Sequence, residues 1–231
     1  MLAPFTQGLS HLFYPTLCEG CSKPLVGTEQ ILCMGCEAQL PETGFHLLES
    51  NEAAQRLAGR IPFIHATSYA HFTDDGLLQH LLHGLKYGNK KEIGLYLGRL
   101  FGRQLSEATW VNDIDIIVPV PLHHKKEASR GYNQSLLIAN GMASMFNKPV
   151  GSDILLRLRE TESQTKKSRT ERVSNMEGAF KVNGKYDIKH KHILLCDDVL
   201  TTGATLEACA LSLLAEESIK ISVATIGIAA S

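Results

Sequence analysis

Two neighbouring carboxylates, Asp197 and Asp198, follow directly on an apolar run, Ile193 to Cys196, and precede a Thr/Gly turn made of Thr201, Thr202, Gly203, Ala204 and Thr205. The run reads as a buried strand and the turn as the opening of a helix. Acids at the carboxyl end of a parallel strand stand where open α/β sheets take ligands, and such a pair accepts hydrogen bonds from the two vicinal hydroxyls of a ribose. The N–H groups and hydroxyls of residues 201–205, at a helix N-terminus, form a cradle for a 5′-phosphate. The plain alternative for the same residues is a buried strand ending in an Asp-Asp turn with a threonine N-cap. Cys196 and Cys209 read as core residues, Cys209 on a helix face with Leu206 and Leu213.

The other four of the six cysteines form two pairs, Cys18 with Cys21 and Cys33 with Cys36, separated by eleven residues. Four soft thiolates drawn from two tight turns suit a closed, structural Zn²⁺ site, which stabilises a segment too small to bury a core. Gly20 and Gly35 fall inside the two turns, where N–H groups must face sulfur. Iron in the same four thiolates is the alternative that the spacing leaves open. A disulfide pair or a redox C-x-x-C fits less well with a reduced compartment and a duplicated motif.

These groups need a frame. Leu77, Leu78, Leu81, Leu82 and Leu85 fall at helical spacing and end at Gly88; a second helix spans about Glu92 to Leu105. Asp115 to Val120 reads as a buried strand, broken by Pro119 and Pro121. Helix resumes from Gln134 to about Phe146, with a short strand near Pro149 to Asp153, a helix over 205–217 and a last strand over Ile219 to Ala229. Ile61 to Phe72 reads as a strand or hairpin arm, residues 41–60 as a linker passing into polar helix, and Leu9, Leu12 and Phe13 as a short amphipathic helix. This βα alternation predicts a mostly parallel sheet flanked by helices, from residue 60 to 231, behind a tetracysteine module over residues 1–45.

Two polar loops should meet the ligand. One, Val118 to Ser135, carries His123, His124, Lys125, Lys126 and Arg130; each histidine taken alone reads as a solvated loop residue. The other, Arg157 to Phe180, has no core pattern and reads as a hood closing over the site, with a solvated linker as the alternative. Composition is ordinary for a globular chain of 231 residues, 44% hydrophobic and 20% charged, with a net charge of -1. That balance excludes a global electrostatic pull toward nucleic acid or acidic membranes, and no apolar run is long enough to span a bilayer. With no basic region and long apolar stretch at the start of the chain, a cytoplasmic location is expected.

The segment CDDVLTTGAT resembles the phosphoribosyl diphosphate (PRPP) signature of type I phosphoribosyltransferases. Together with the tetracysteine module, LLHGLKY over Leu81 to Tyr87, the VPVPLH…RGYNQ loop and the R-x-R-x-T-x-x-Q segment, it is similar to the ComF/GntX family. The likeness runs in order from Cys18 to about Ala229 and implies a type I phosphoribosyltransferase-like fold behind a zinc ribbon. It implies that Asp197 and Asp198 hold the ribose and form the catalytic pair if transfer occurs, and that Thr201, Thr202, Gly203, Ala204 and Thr205 hold the 5′-phosphate. It further implies diphosphate contacts, with Mg²⁺, from Lys125, Lys126 and Arg130, and hood contacts from Arg157, Arg159, Thr161 and Gln164. ComF proteins are linked to natural transformation, which implies single-stranded DNA and a competence-machinery protein such as a helicase as partners, without membrane insertion. A basic stripe for DNA with an aromatic among it is offered by Lys125, Lys126, Arg130, Tyr132, Lys166, Lys167, Arg169 and Arg172. Glu127, Ala128 and Ser129 thin that stripe. True transfer of ribose 5-phosphate to an acceptor is a second expectation. A third is protein docking by the zinc module, whose Glu19, Lys23, Glu29 and Glu37 have mixed charge.

Overall fold

The computed structural model describes residues 15–158 and 178–230. Leu9, Leu12 and Phe13, and the hood residues Arg159, Thr161, Gln164, Lys166, Lys167, Arg169 and Arg172, lie outside the described residues. In chain order the elements are α1 (Met34–Glu37), α2 (Glu52–Leu57), β1 (Ala66–Phe72), α3 (Leu77–Tyr87), α4 (Lys91–Leu105), β2 (Ile116–Pro119), α5 (His124–Arg130), α6 (Gln134–Phe146), β3 (Leu155–Arg157), β4 (Phe180–Val182), β5 (His192–Leu200), α7 (Ala204–Leu214) and β6 (Lys220–Ala229).

Four strands pair in the order β1-β6-β5-β2, all parallel. The side chains of β5 alternate as a doubly covered strand requires: Leu194 and Cys196 enter the core under α3, α4 and α6, whereas Ile193 and Leu195 enter the core under α2 and α7. The outer edges are blunted by single bridges, Glu42 to Ala70 on β1 and Val150 to Ile117 on β2. No helix among the described residues is long and apolar enough to cross a membrane.

Three expectations from the sequence change. The strand expected over residues 149–153 is reduced to the single bridge at Val150, where Pro149 and Gly151 each hydrogen-bond to Ile117 at 2.9 Å, because the chain turns away at Ser152 and Asp153. The hood segment does not join two strands of the main sheet; it is flanked by β3 and β4, which pair antiparallel with each other and pack on α7, where the Ser212 hydroxyl donates to the Phe180 carbonyl at 3.3 Å. Residues 41–60 are more than a linker. Asn51 caps α2 by accepting from the Ala54 N–H at 3.0 Å and donates to the Ala66 carbonyl at 2.9 Å, and Ala53, Ala54 and Leu57 enter the core.

The closest helix contact is between α4 and α6. A Cβ on Gly98 would lie 2.2 Å from the Ile138 carbonyl oxygen, and one on Gly141 would lie 2.4 Å from that of Leu95. The two backbones touch, and this contact fixes the N-terminus of α6 against β5. Replacing Gly98 with alanine gains about 1 kcal/mol of helix propensity but overpacks a backbone contact, which costs roughly 1–3 kcal/mol or more. Gly98→Ala is therefore expected to lower the urea midpoint, whereas Gly35→Ala, on an open face with nothing within 4 Å, is expected to leave it unchanged or raise it.

Candidate functional site

The carboxylates do not follow β5; they belong to it. Pairing with β6 continues through Asp197 with Thr225, Val199 with Gly227 and Leu200 with Ile228, so the strand carries both acids to its carboxyl end. Asp198 is only 7% exposed and Asp197 is half-buried. Two anions that close together and withdrawn from water need compensation. Asp198 takes it from Lys86 on the last turn of α3, whose ammonium lies 2.9 Å from Oδ2. Asp197 accepts from the Ser135 hydroxyl at 2.9 Å and from the Asp198 N–H at 2.9 Å.

The compensation is unequal. Burial, then the Asp198 charge, push the Asp197 carboxyl up to about 7, against the opposing pull of its two hydrogen bonds and of Lys86. For Lys86, burial pulls down, but the charge and hydrogen bond of Asp198, with Asp197 adding, win and hold the ammonium above its ordinary range. The pair thus meets a ligand with a lysine firmly charged and one carboxyl poised near neutrality.

The turn after β5 is shaped from behind. Arg56 donates to the carbonyls of Leu200, at 3.3 Å, and Thr201, at 3.0 Å; Arg60 donates to the Thr202 carbonyl and pairs with Glu207, its Nε at 3.0 Å from Oε2. In a trans peptide the N–H of the next residue points opposite to the carbonyl. The N–H groups of Thr201, Thr202 and Gly203 therefore face away from the two guanidinium groups, and α7 begins at Ala204 behind a left-handed Gly203 (φ 78°). This concave set of donors at the N-terminus of an 11-residue helix has the geometry of an anion cradle.

The loop from β2 contains a short helix, α5, that the sequence did not announce. His123 caps it, accepting from the Lys125 N–H at 3.4 Å, and left-handed Gly131 (φ 80°) ends it. Lys125 is exposed, Lys126 and Arg130 partly so. The expectation that His123 is solvated fails, since it is buried, its ring centre 4.1 Å from that of His124 at a 41° tilt. Tyr132 also departs from its expected role as a stacking side chain for DNA. It is 8% exposed, its hydroxyl donates to the Leu85 carbonyl, and the Lys91 ammonium lies 5.1 Å from its ring centre, so it serves as a core anchor. Asn133 ties the loop down by donating to the Val120 carbonyl at 3.0 Å while accepting from the Ser135 N–H. Arg157 places its guanidinium 5.3 Å from the Phe180 ring centre, on the ribbon of β3 and β4.

The four N-terminal cysteines converge, their sulfur atoms all within 4.8 Å of one another. Burial raises the Cys18 thiol, but N–H groups of Cys33, Cys21 and Gly20 directed at it outweigh that and bring it down to about 6. Cys36, buried beside the other sulfurs, is pushed up to about 12. One thiolate is thus stabilised by the backbone itself, and the cluster can hold a metal ion. Gly20 does present its N–H to Cys18 Sγ, at 3.4 Å; Gly35 instead sits in α1, and the second donor is the Cys33 N–H, at 3.3 Å. The module is docked on the body of the protein: Glu19 pairs with Lys90 at 2.5 Å, Glu37 accepts from Tyr96 and from Arg103, and Gln30 accepts from Arg99 at 2.6 Å. Glu19 and Glu37, expected to face a partner, are used within the chain.

Lys86, Ser135, Arg56 and Arg60 are the groups that sequence reasoning missed. LLHGLKY and RGYNQS had drawn attention as motifs, but no local pattern says that Lys86 and Ser135 reach the carboxylates across 112 and 62 residues.

Residues 133–231 match the phosphoribosyl transferase domain family. The chain is similar to the DNA utilization protein YhgH of Escherichia coli K12, with 29% identity over 201 residues, 86% of this chain and 84% of that one. It is similar to competence protein F of Haemophilus influenzae, with 27% identity over 205 residues, 84% and 89% of the two chains. Competence protein ComFC of Bacillus subtilis is 37% identical over 99 residues, 43% of this chain and 38% of that one.

A carboxyl whose folded pKa lies near 7, above its ordinary 3.8, binds its proton more tightly in the folded state. Its contribution to stability is therefore greatest at low pH and is lost as pH rises across the window from about 4 to about 7. Asp197→Asn is expected to flatten this part of the stability profile, as measured by urea unfolding at fixed pH intervals.

Proposed function

We propose that this chain, whose residues 133–231 match the phosphoribosyl transferase domain family and whose relatives include competence protein F and YhgH, is a ComF-family protein that binds Mg²⁺-PRPP at the end of β5 and acts in DNA utilization as its relatives' names indicate. The observation that carries the reading is the carboxylate pair at the end of a parallel strand, held by Lys86 and Ser135 beside an N–H cradle. Asp197 and Asp198 accept the ribose hydroxyls. Residues 201–205 take the 5′-phosphate. Lys86, Lys125, Lys126 and Arg130 supply the positive charge around a diphosphate, Arg130 by charge-assisted hydrogen bonds that suit its planar fork. Mg²⁺, when bound, neutralises part of the diphosphate charge through oxygen ligands and waters. Arg157, Arg159, Thr161 and Gln164 are the further contacts that this reading assigns to PRPP.

Zn²⁺ is our assignment for the tetracysteine centre, because four thiolates without an open position suit a structural ion. A cytoplasmic, reducing compartment, in which the thiols stay available as metal ligands, belongs to the same reading. Single-stranded DNA and a partner from the competence machinery remain the macromolecular part of this reading.

One observation favours a second reading, in which ribose 5-phosphate is transferred. Asp197, titrating near 7, suits a group that exchanges a proton while an acceptor bonds to C1, the C1–O bond breaks and diphosphate leaves. Release of diphosphate from Mg²⁺-PRPP in the presence of an acceptor, with none from Asp197→Asn, is the outcome that supports transfer. Its absence with every acceptor supports binding alone.

Calorimetry with Mg²⁺-PRPP tests the site. The double variant Asp197→Asn, Asp198→Asn is expected to lose at least about 100-fold in affinity, since several hydrogen bonds to charged groups disappear. Unchanged affinity overturns the assignment. Metal analysis of the purified protein is expected to give one Zn²⁺ per chain, and Cys18→Ser to lower both the metal content and the thermal midpoint.

A further inference from the structure

The turn of α3 that brings Lys86 to Asp198 also carries Tyr87, an aromatic side chain for which the ribose-phosphate reading has no role. Tyr87 is 72% exposed. The Arg130 guanidinium carbon lies 5.6 Å from the ring centre, and the His83 imidazole lies 4.9 Å away at a 49° tilt. The Tyr87 hydroxyl is close enough to Lys86 to act on its charge. The other tyrosines among the described residues commit their hydroxyls to groups of this chain, Tyr69 to Glu42, Tyr96 to Glu37, Tyr132 to Leu85 and, at the surface and 40% exposed, Tyr186 to Asp153. Trp110 stacks on His65 and donates to the His46 carbonyl. Tyr87 alone of these stands out at the rim, among cations.

A cation beside an aromatic ring strengthens rather than blocks its use as a stacking surface, because guanidinium and base can share the π face and the cation also meets a phosphate. Arg130 stands at the end of α5, the helix that carries Lys125 and Lys126; Glu127 is its one acid. Tyrosine and arginine suit a protein interface as well, but lysines are depleted there and α5 presents two of them; duplex DNA keeps its base faces stacked away. A single strand has both groups that this surface matches, an open base face and regularly spaced phosphates.

We infer that Tyr87, flanked by Arg130 and His83, is a base-stacking platform for single-stranded DNA, whose phosphates run over Arg130, Lys125 and Lys126. This deepens the DNA-directed part of the function proposed above and rests on it. It moves the stacking role from Tyr132, which is buried, to the residue next to the ribose-site lysine. Lys125, Lys126 and Arg130 are also the cations assigned to the diphosphate, so strand and PRPP draw on one set of positive charges, with the stacked base one residue from Lys86.

The test uses the full chain, oligo-dT and fluorescence anisotropy at low salt. Tyr87→Ala is expected to weaken binding roughly 5- to 150-fold, the range for loss of one stacked base, and Tyr87→Phe to stay within about twofold of the parent. An abasic oligonucleotide is expected to bind the parent and Tyr87→Ala equally. The fluorescence of a 2-aminopurine strand is expected to be quenched by the parent and by Tyr87→Phe but not by Tyr87→Ala. Arg130→Ala is expected to reduce the salt slope by about one contact. Equal oligo-dT affinity of the parent and Tyr87→Ala, with both folded by circular dichroism, overturns the platform. No binding by the parent overturns both the platform and the DNA part of the function, while Mg²⁺-PRPP calorimetry reports separately on the ribose site. Binding of a mononucleotide as tight as that of the strand also overturns the proposal, by placing a single nucleotide on the ring.

Discussion

Two adjacent carboxylates at the end of a buried strand are an electrostatic liability, and much of the surrounding structure is arranged around that fact. Left alone, Asp197 and Asp198 would repel each other in a poorly hydrated corner. The ion pair with Lys86 and the hydroxyl of Ser135 make the pair tolerable without extinguishing its charge. Both partners come from the helical layer on one face of the sheet, so the site exists only if α3 and α6 are set correctly against β5. The glycine contact between α4 and α6 then reads as part of the site's support: side chains there would lift α6, and Ser135 with it, from the strand.

The tetracysteine module contributes to the same support. Gly20 lies where a side chain would meet Leu77 at the start of α3, and Glu19 grips Lys90 just past the helix end. Cys18, Ile31, Leu32, Cys36 and Leu40 share one core cluster with Leu78, Leu81, Leu82 and Leu85. The tetracysteine module thus braces both ends of the helix that delivers Lys86. On the opposite face α2 and the residues just after it do the equivalent for the turn that follows β5, the Arg56 and Arg60 guanidinium groups holding the loop carbonyls so that the N–H groups face the other way.

The loop after β2 illustrates how one segment serves two demands. Asn133 and Tyr132 are consumed in fixing it to Val120 and Leu85, which leaves α5 to present cations at the rim. An aromatic in a polar, glycine-bearing stretch looks exposed when read along the chain. Here burial decides otherwise, because the residue after a left-handed Gly131 turns inward beneath α3.

The sequence by itself determined what depends on local spacing. It settled the apolar strand leading to Asp197 and Asp198, the helix opening after Gly203, the leucine stripe of α3, and the four cysteines that meet as a cluster. Period, turn chemistry and ligand spacing are properties of neighbouring residues, and the chain states them directly. Only the tertiary structure decided which distant groups meet the carboxylates and the turn after β5, since Lys86, Ser135, Arg56 and Arg60 reach them from separate elements. It also decided that Tyr132 is buried and Tyr87 exposed. Both tyrosines sit in polar surroundings in the sequence, and their fates depend on which helix packs over them, a long-range fact that no local pattern encodes.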